Sequence, residues 1–337
     1  MGRRAVSVMR DLSWSLTSCQ APVTFFLAGA PQDPTAIPPI LSSVMSKRPA
    51  LKPYAQIGEA ALYLGDAREV MNSLPESSVD MIFADPPYGL SNGGFSVHSG
   101  RQVSVNKGQW DRTRGTQADF DFHFEWLEAA QRLLTPDGTI WVSGTYHSIY
   151  ACGYAMQLLG YRVLNDIAWF KPNGPPNLGR RMFTASHETL IWASKSKKAK
   201  HTFNYKAMRE GDFPSDRFKR PGKQMRSVWE AFDARESLWP LTTPRKDEKT
   251  FGKHPTQKPI SLLERVVSAS SNAGDLVLDP FCGSGTTGVA SLLLGRRFIG
   301  IDSDRVFLRD IAKKRFLRTS QQLEAAHSST PAAPEGL

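Results

Sequence analysis

Val79-Asp80-Met81-Ile82-Phe83-Ala84-Asp85-Pro86-Pro87-Tyr88 is the stretch on which the fold of this chain turns. Val79 to Ala84 is an apolar run of strand length, and Met81 to Ala84 reads as a β-strand that stops at a carboxylate and two prolines. The prolines fix φ near about −65° and carry no N–H, so their carbonyls accept hydrogen bonds without internal competition. Asp85 and the Pro86 carbonyl are thus two acceptors held rigidly, and Tyr88 adds an aromatic face. This set suits a planar ring with an exocyclic NH2, which would stack on Tyr88 and donate to both acceptors. A proline-braced turn without chemical consequence fits the same four residues, so the decision rests on a second motif.

Asp279-Pro280-Phe281-Cys282-Gly283-Ser284-Gly285-Thr286-Thr287-Gly288 follows the apolar Leu276 to Leu278 and precedes the helix-like Val289 to Leu294. The pattern is strand, glycine turn, helix. Glycines let the backbone approach a ligand closely, and the helix start presents free N–H groups. No Gly-Lys-Ser/Thr follows, which excludes a phosphate-binding P-loop, and the dinucleotide fingerprint fits poorly. A further apolar strand, Phe298-Ile299-Gly300-Ile301, ends in Asp302, whose carboxylate can accept from two ribose hydroxyls. The pair of features suits an adenosine without a pyrophosphate.

Both motifs, and much of the sequence between them, resemble the amino-group DNA methyltransferases that use S-adenosylmethionine. Asp85-Pro86-Pro87-Tyr88 is similar to the family's catalytic motif, Asp279 to Gly288 to its methionine-binding loop and Phe298 to Asp302 to its ribose-binding strand. His254-Pro255-Thr256-Gln257-Lys258-Pro259 is similar to its remaining cofactor motif. The catalytic motif precedes the cofactor loop, an order that resembles the β class, whose sheet is circularly permuted. Residues 85 to 110 look closest to restriction-modification enzymes that methylate adenine N6 within GATC. The resemblance covers residues 54 to 318. It implies Asp85, Pro86, Pro87 and Tyr88 as catalytic residues. It also implies cofactor contacts at Asp66, Asp85, His254, Thr256, Lys258, Asp279, Phe281, Cys282, Gly283, Ser284, Gly285, Thr286, Thr287 and Asp302, with no metal. Asp66 reads equally well as the N-cap of the next helix.

The chemistry follows from the acceptor. An exocyclic amine delocalises its lone pair into the ring and is a poor nucleophile until hydrogen bonds to Asp85 and the Pro86 carbonyl favour a tetrahedral nitrogen. Direct in-line transfer then depends on proximity and orientation. A duplex base must first be flipped out. Adenine N6 and cytosine N4 both offer such an amine; Asp at the first position favours adenine. An RNA methyltransferase and an inactive DNA-binding module stand as further alternatives.

Of the 337 residues 40% are hydrophobic, enough for a large buried core, and the net charge of +10 calls for a polyanionic partner. Between Lys195 and Lys253 there are 16 Lys/Arg against 8 Asp/Glu, interleaved with Phe203, Tyr205, Phe213, Phe218, Trp229, Phe232 and Trp239. Basic groups neutralise phosphates and aromatic faces stack on bases, so residues 195–253 are read as the target-recognition region, with Arg217, Lys219, Arg220 and Arg226 as DNA contacts. A solvated basic loop is the plainer reading.

Alternating elements predict an α/β Rossmann-like fold with a mostly parallel sheet flanked by helices. Strands are expected at 61–64, 81–84, 139–143, 163–170 and 188–193, and helices at 67–74, 122–134 and 149–159. The catalytic half is 51–194 and the cofactor half 254–318, between a flexible extension 1–50 and a frayed tail 319–337. Residues 89 to 118 are expected as a long loop over the base and DNA backbone, with Arg101 and Lys107 as phosphate contacts; a disordered excursion is the alternative. Lys171 to Asn177 reads as a second polar loop, a channel lining or a simple turn.

Three cysteines, Cys19, Cys152 and Cys282, form no metal-binding pattern and suit a reducing cytoplasm. Cys282 has no base beside it and is not read as a nucleophile. No stretch of about eighteen apolar residues is present, so no membrane span is expected. The partners implied are DNA, double-stranded with single-stranded left open, a second copy of the chain, and a companion restriction enzyme.

Overall fold

The computed structural model describes residues 51–91, 95–98, 101–104, 111–172, 180–214, 216–230, 244, 247–252 and 254–328. The expected extension 1–50, Lys107 and the last nine residues of the chain lie outside them.

The chain opens with β1 (Ala55–Ile57), β2 (Ala60–Leu64), α1 (Ala67–Ser73) and β3 (Val79–Ala84), followed by the hairpin β4 (Phe95–His98) and β5 (Arg101–Ser104). Next come α2 (Thr116–Leu133), β6 (Leu134–Gly144), α3 (Ile149–Leu158), β7 (Arg162–Phe170), β8 (His187–Ser194), α4 (Tyr205–Glu210) and β9 (Val228–Trp229). The last part carries α5 (Ile260–Ser270), β10 (Leu276–Asp279), α6 (Thr286–Leu293), β11 (Arg297–Asp302), a π-helical turn Phe307–Ala312 and α7 (Lys313–Ser328). Among the described residues the main sheet has nine strands in the order β1-β2-β11-β10-β3-β6-β8-β7-β9. From β2 to β6 every neighbouring pair is parallel, whereas β8 runs antiparallel to both β6 and β7. The circular permutation is visible in this order: β10 and β11, last in the chain, lie at the centre between β2 and β3.

Period-two alternation explains why β3 reads as one apolar run. Met81 and Phe83 join the core with α5, α6 and α7, while Ile82 and Ala84 join the core with α1, α2 and α3; Val79, before the register shift at Met81, falls out of the alternation and joins the second core. Trp141 and Trp192 continue the first core and stack at 5.0 Å, whereas Ile140, Val142, Ile191 and Ala193 continue the second.

Several expectations are corrected. The strand expected at 139–143 begins earlier, as β6 at Leu134, and carries Pro136-Asp137-Gly138 as a bulge: pairing jumps from Val79↔Leu134 to Met81↔Thr139, so the strand resumes beyond it. Residues 89 to 118 are not one irregular loop, because Phe95–His98 and Arg101–Ser104 pair as a hairpin and α2 begins at Thr116. The expected frayed tail continues α7 to Ser328; Thr319 is buried and its hydroxyl donates to the Arg315 carbonyl at 3.0 Å, while Leu323 packs on the core.

Part of the basic region is firmly anchored. Arg265 on α5 and Asp216, both buried, pair at 2.6 Å, and the guanidinium lies 4.6 Å from the Phe213 ring and 5.0 Å from that of Trp229. Strand β9 adds itself to the edge at β7 through Ala168↔Val228 and Trp169↔Trp229.

Candidate active site

Because β3 and β10 are parallel neighbours, their carboxyl ends deliver Asp85-Pro86-Pro87-Tyr88 and the glycine turn after Asp279 to the same edge of the sheet. One cavity of about 270 Å³ opens there, lined among others by Asp66, Asp85 to Tyr88, His254, Thr256, Lys258, Asp279, Phe281 to Ser284, Thr286, Thr287 and Asp302. Sequence positions nearly 200 residues apart thus meet in one site.

A dense polar network holds the catalytic turn. Tyr88 OH donates to Asp85 Oδ1 at 2.5 Å and lies 3.1 Å from Ser143 Oγ. Lys258 Nζ donates to Asp85 Oδ2 at 2.5 Å and to Tyr88 OH at 3.1 Å, and it lies 3.6 Å from Glu188. Glu188 also pairs with Lys171. Burial, reinforced by the Asp85 and Glu188 charges, drives the Tyr88 hydroxyl well above its ordinary range, so it stays protonated as a donor. Burial opposes the charge of Lys258, yet Asp85 and Glu188 outweigh it and raise its pKa. For Lys171 the balance falls the other way, and burial lowers its pKa despite Glu188. A carboxylate offers about four acceptor sites, so Asp85 retains capacity for an incoming amine beside Tyr88 and Lys258.

Asp111, Glu188 and Ser143 belong to this network without having been expected. Asp111 is buried, and its Oδ1 accepts from the Tyr88 and Gly89 N–H groups at 2.8 and 3.0 Å. Its Oδ2 accepts from Leu90 N–H at 3.3 Å and Ser91 Oγ at 2.9 Å. One carboxylate therefore fixes the whole exit of the turn. Glu188 is hidden at the start of a strand pattern that leads into the apolar run 190–193, and nothing local singles it out.

The cofactor half is built by close approach. Gly283 and Gly285 have φ of +50° and +75°, in the left-handed region that favours glycine. Asp279 is buried; its Oδ2 accepts from Thr287 Oγ1 at 2.6 Å and its Oδ1 from Phe281 N–H at 3.0 Å, tying the turn to α6. Burial pushes the Asp279 carboxyl up to about 7, against the hydrogen bond from Thr287. Asp302 accepts from Gly283 N–H at 2.7 Å and from Asp304 N–H at 2.8 Å, and burial raises its pKa. Arg315, reaching from α7, donates to the Ser284 carbonyl at 2.9 Å and Thr286 Oγ1 at 2.8 Å. Cys282 is buried against Gly300 and its thiol is pushed far up by burial and by Asp279 and Asp302, which leaves it protonated and inert.

Asp66 serves as the N-cap of α1, accepting from Arg68 N–H at 2.8 Å, and it lines the cavity as well. The His254 ring lies against Phe307 at 4.3 Å, and its Nδ1 accepts from Thr256 N–H at 3.3 Å. Lys258, expected at the cofactor, points to the Asp85 carboxylate.

These residues fit a cationic adenosine derivative. The cavity wall carries the carboxylates of Asp66, Asp85, Asp279, Asp302 and Asp304, the aromatic rings of Phe122, Phe281 and Phe307, and the N-terminal turn of α6. Ser148 Oγ and Gln257 Oε1, also of lining residues, are buried without a hydrogen-bond partner among the described residues.

Of the DNA-contact candidates, Arg217, Arg220 and Arg226 are exposed and Lys219 is half-buried. Arg217 is committed to the buried Glu230, with Nη2 at 2.5 Å from Oε1. Lys219 Nζ donates to the Arg209 and Arg220 carbonyls at 2.9 and 2.8 Å. Arg101 lies on β5.

Residues 79–314 match the family described as DNA methylase, the N6/N4 methyltransferases. The chain is similar to the type II methyltransferase M2.LlaDCHI of Lactococcus lactis subsp. cremoris, at 46% identity over 265 residues spanning 78% of this chain and 91% of that one. It is equally similar to the type II methyltransferase M2.DpnII of Streptococcus pneumoniae, 46% identical over 265 residues, 78% and 92% of the two chains. Among solved structures, the M1.HpyAVI–SAM complex superposes with a TM-score of 0.53 at 29% identity, over 76% of this chain and 98% of that one.

Proposed function

This chain belongs to the DNA methylase family, as a β-class enzyme that transfers a methyl group from S-adenosylmethionine to an exocyclic amino group of a DNA base, and on that premise we propose that the acceptor is adenine N6 in duplex DNA. The observation that carries this reading is Asp85: a carboxylate, rather than a hydroxyl, stands at the acceptor position at the end of β3, braced by Tyr88 and Lys258. A sequence context of GATC is the corresponding proposal for specificity, resting on the likeness of residues 85 to 110.

The sulfonium of the bound cofactor supplies an electrophilic methyl group. Asp279, Asp302 and the glycine turn of residues 283–285 hold and orient it at the end of β10, with Thr287 and Arg315 fixing the turn. Asp85 and the Pro86 carbonyl accept from the amine, localise its lone pair and hold it in line. Lys258 and Tyr88 keep the carboxylate in place, and Asp85 is where the proton shed by the methylated nitrogen is first received. A stacked base cannot reach the cavity, so it enters flipped out, with the Tyr88 ring recovering part of the lost stacking.

Arg217, Lys219, Arg220 and Arg226, with Arg101 and Lys107, are proposed as DNA contacts within or beside the recognition region 195–253. A homodimer is proposed on the exposed Tyr150, Tyr154 and Leu158, which recur every four residues along α3, with the exposed Tyr146 in the turn just before it. A companion restriction enzyme and a cytoplasmic location complete the reading. No helix among the described residues is long and apolar enough to cross a membrane.

The test is single-molecule sequencing of DNA from a methylation-deficient host that expresses the wild type or Asp85→Ala. N6-methyladenine at one motif, absent in the variant, supports the reading. N4-methylcytosine at one motif replaces it with the cytosine reading, and modification in both hosts removes the role given to Asp85.

A further inference from the structure

The segment that returns the chain to β8 carries an exposure that the fold does not account for. Met182 is 67% exposed and Phe183 is 100% exposed, directly after the exposed Arg180 and Arg181. A wholly solvated Phe ring beside charged residues gains nothing in the free protein. Arg180 adopts φ +52°, a conformation rarely taken by residues other than glycine. The segment is nevertheless pinned at its base, where Lys171 N–H donates to the Ser186 carbonyl at 2.7 Å. Lys171 in turn pairs with Glu188, which reaches Lys258 and so Asp85. Three residues of chain span at most about 11 Å, so Phe183 lies within that distance of the pinned Ser186.

The surroundings specify the occupant. The Phe218 ring packs on that of Phe170 at 6.0 Å, which brings the basic stretch 217–220 alongside the residue preceding Lys171. Two arginines and an uncovered aromatic thus precede the start of β8, with a basic stretch on the neighbouring β7 end, and are tethered through Ser186, Lys171, Glu188 and Lys258 to Asp85. Cationic groups match phosphates, and apolar side chains enter between base steps where the helix is opened.

We propose that Arg180, Arg181, Met182 and Phe183 form a wedge that enters the DNA duplex beside the target base, Phe183 filling the gap the flipped base leaves and the two arginines holding the flanking phosphates. This rests on the methyl-transfer reading of the same site. Extrusion of a base strands its neighbours without stacking, and an inserted ring restores that contact while blocking the base's return.

The experiment compares Phe183→Ala with the wild-type full-length chain on three oligonucleotides that share the recognition sequence: a matched duplex, a duplex with a mismatch opposite the target base, and the single strand. The variant is expected to lose roughly tenfold or more on the matched duplex, the scale of one base–aromatic stacking contact. On the mismatched and single-stranded targets, where little or no flipping cost remains, it should stay within about twofold of wild type. Phe183→Trp should restore the duplex rate, and Arg180→Gln with Arg181→Gln should flatten the salt dependence of duplex binding. An equal loss on all three substrates, or none, overturns the wedge. Equal loss together with a shift in sedimentation from dimer to monomer would assign Phe183 to contact between two copies, and likewise overturns it. Absence of methylation by the wild type on every substrate would instead remove the underlying activity.

Discussion

Lys258 Nζ stands 2.5 Å from Asp85 Oδ2 although 173 residues separate the two in sequence. The buried ammonium is the shared counter-ion of two partly buried carboxylates, Asp85 and Glu188. Removing one partner of a buried pair leaves charge without compensation. Lys258→Met is therefore expected to cost about 3–5 kcal/mol of stability and to abolish transfer. Adding Glu188→Gln should restore part of the stability without the activity. Denaturant unfolding of the two single variants and the double variant measures the coupling.

Asp111 predicts a different signature. Asp111→Ala would strip acceptors from three consecutive N–H groups of the catalytic turn, at roughly 1–3 kcal/mol for the donors left buried. The turn would lose its fixed course at Tyr88 while the cofactor side stays intact. The expected outcome is a fall in kcat with S-adenosylmethionine affinity, read by calorimetry, little changed.

The elevated Asp279 carboxyl gives stability a defined pH dependence. Its folded pKa of about 7 exceeds the ordinary unfolded value, so the folded state binds the extra proton. This contribution is fully present below about pH 4 and is lost as pH rises through about 7. Asp279→Asn should flatten that part of the stability profile, measured as denaturant midpoints from pH 5 to 8. A cationic cofactor favours the ionised carboxylate, so wild-type affinity should rise with pH up to about 7 and then level off.

Gly288 on α6 sets the distance to α7. A Cβ there would fall 2.3 Å from Phe316 Cζ and 2.7 Å from Phe298 Cε1. Gly288→Ala should therefore destabilise by about 1–3 kcal/mol through overpacking, in spite of alanine's better helix propensity. Phe316→Leu in the same chain should recover part of the loss in thermal unfolding.

Local signals were enough to identify the sheet's core strands and both site motifs. The Asp85 and Asp279 turns each terminate a short apolar run, and such punctuation survives in sequence. What stayed hidden depends on long-range contact. Glu188 and Asp111 acquire their roles only when β8 and the segment before α2 are brought against the catalytic turn, and neither position has a local pattern that marks it. The β4–β5 hairpin was missed because Gly, Ser and Asn dominate that stretch and outweigh the two short alternating runs. The continuation of α7 past Thr319 was missed because its few apolar residues suffice only once the folded core gives Leu323 a surface to pack on. The course of β6 through Pro136 shows the same rule, since the neighbouring strand β3 restores the ladder on the far side of the bulge.

The insertion of β10 beside β3 also governs how the enzyme comes into being. Asp85 leaves the ribosome well before Asp279, by roughly 10–40 s at ordinary rates of synthesis. Until β10 emerges, β3 presents an apolar, unpaired strand edge on that side, and for most of the interval Asp85 lacks Lys258. The nascent chain is then at its most vulnerable to association with other chains. It is also incapable of modifying DNA, because the methyl-donor site and the counter-ion of the acceptor site arrive together with the final quarter of the polypeptide.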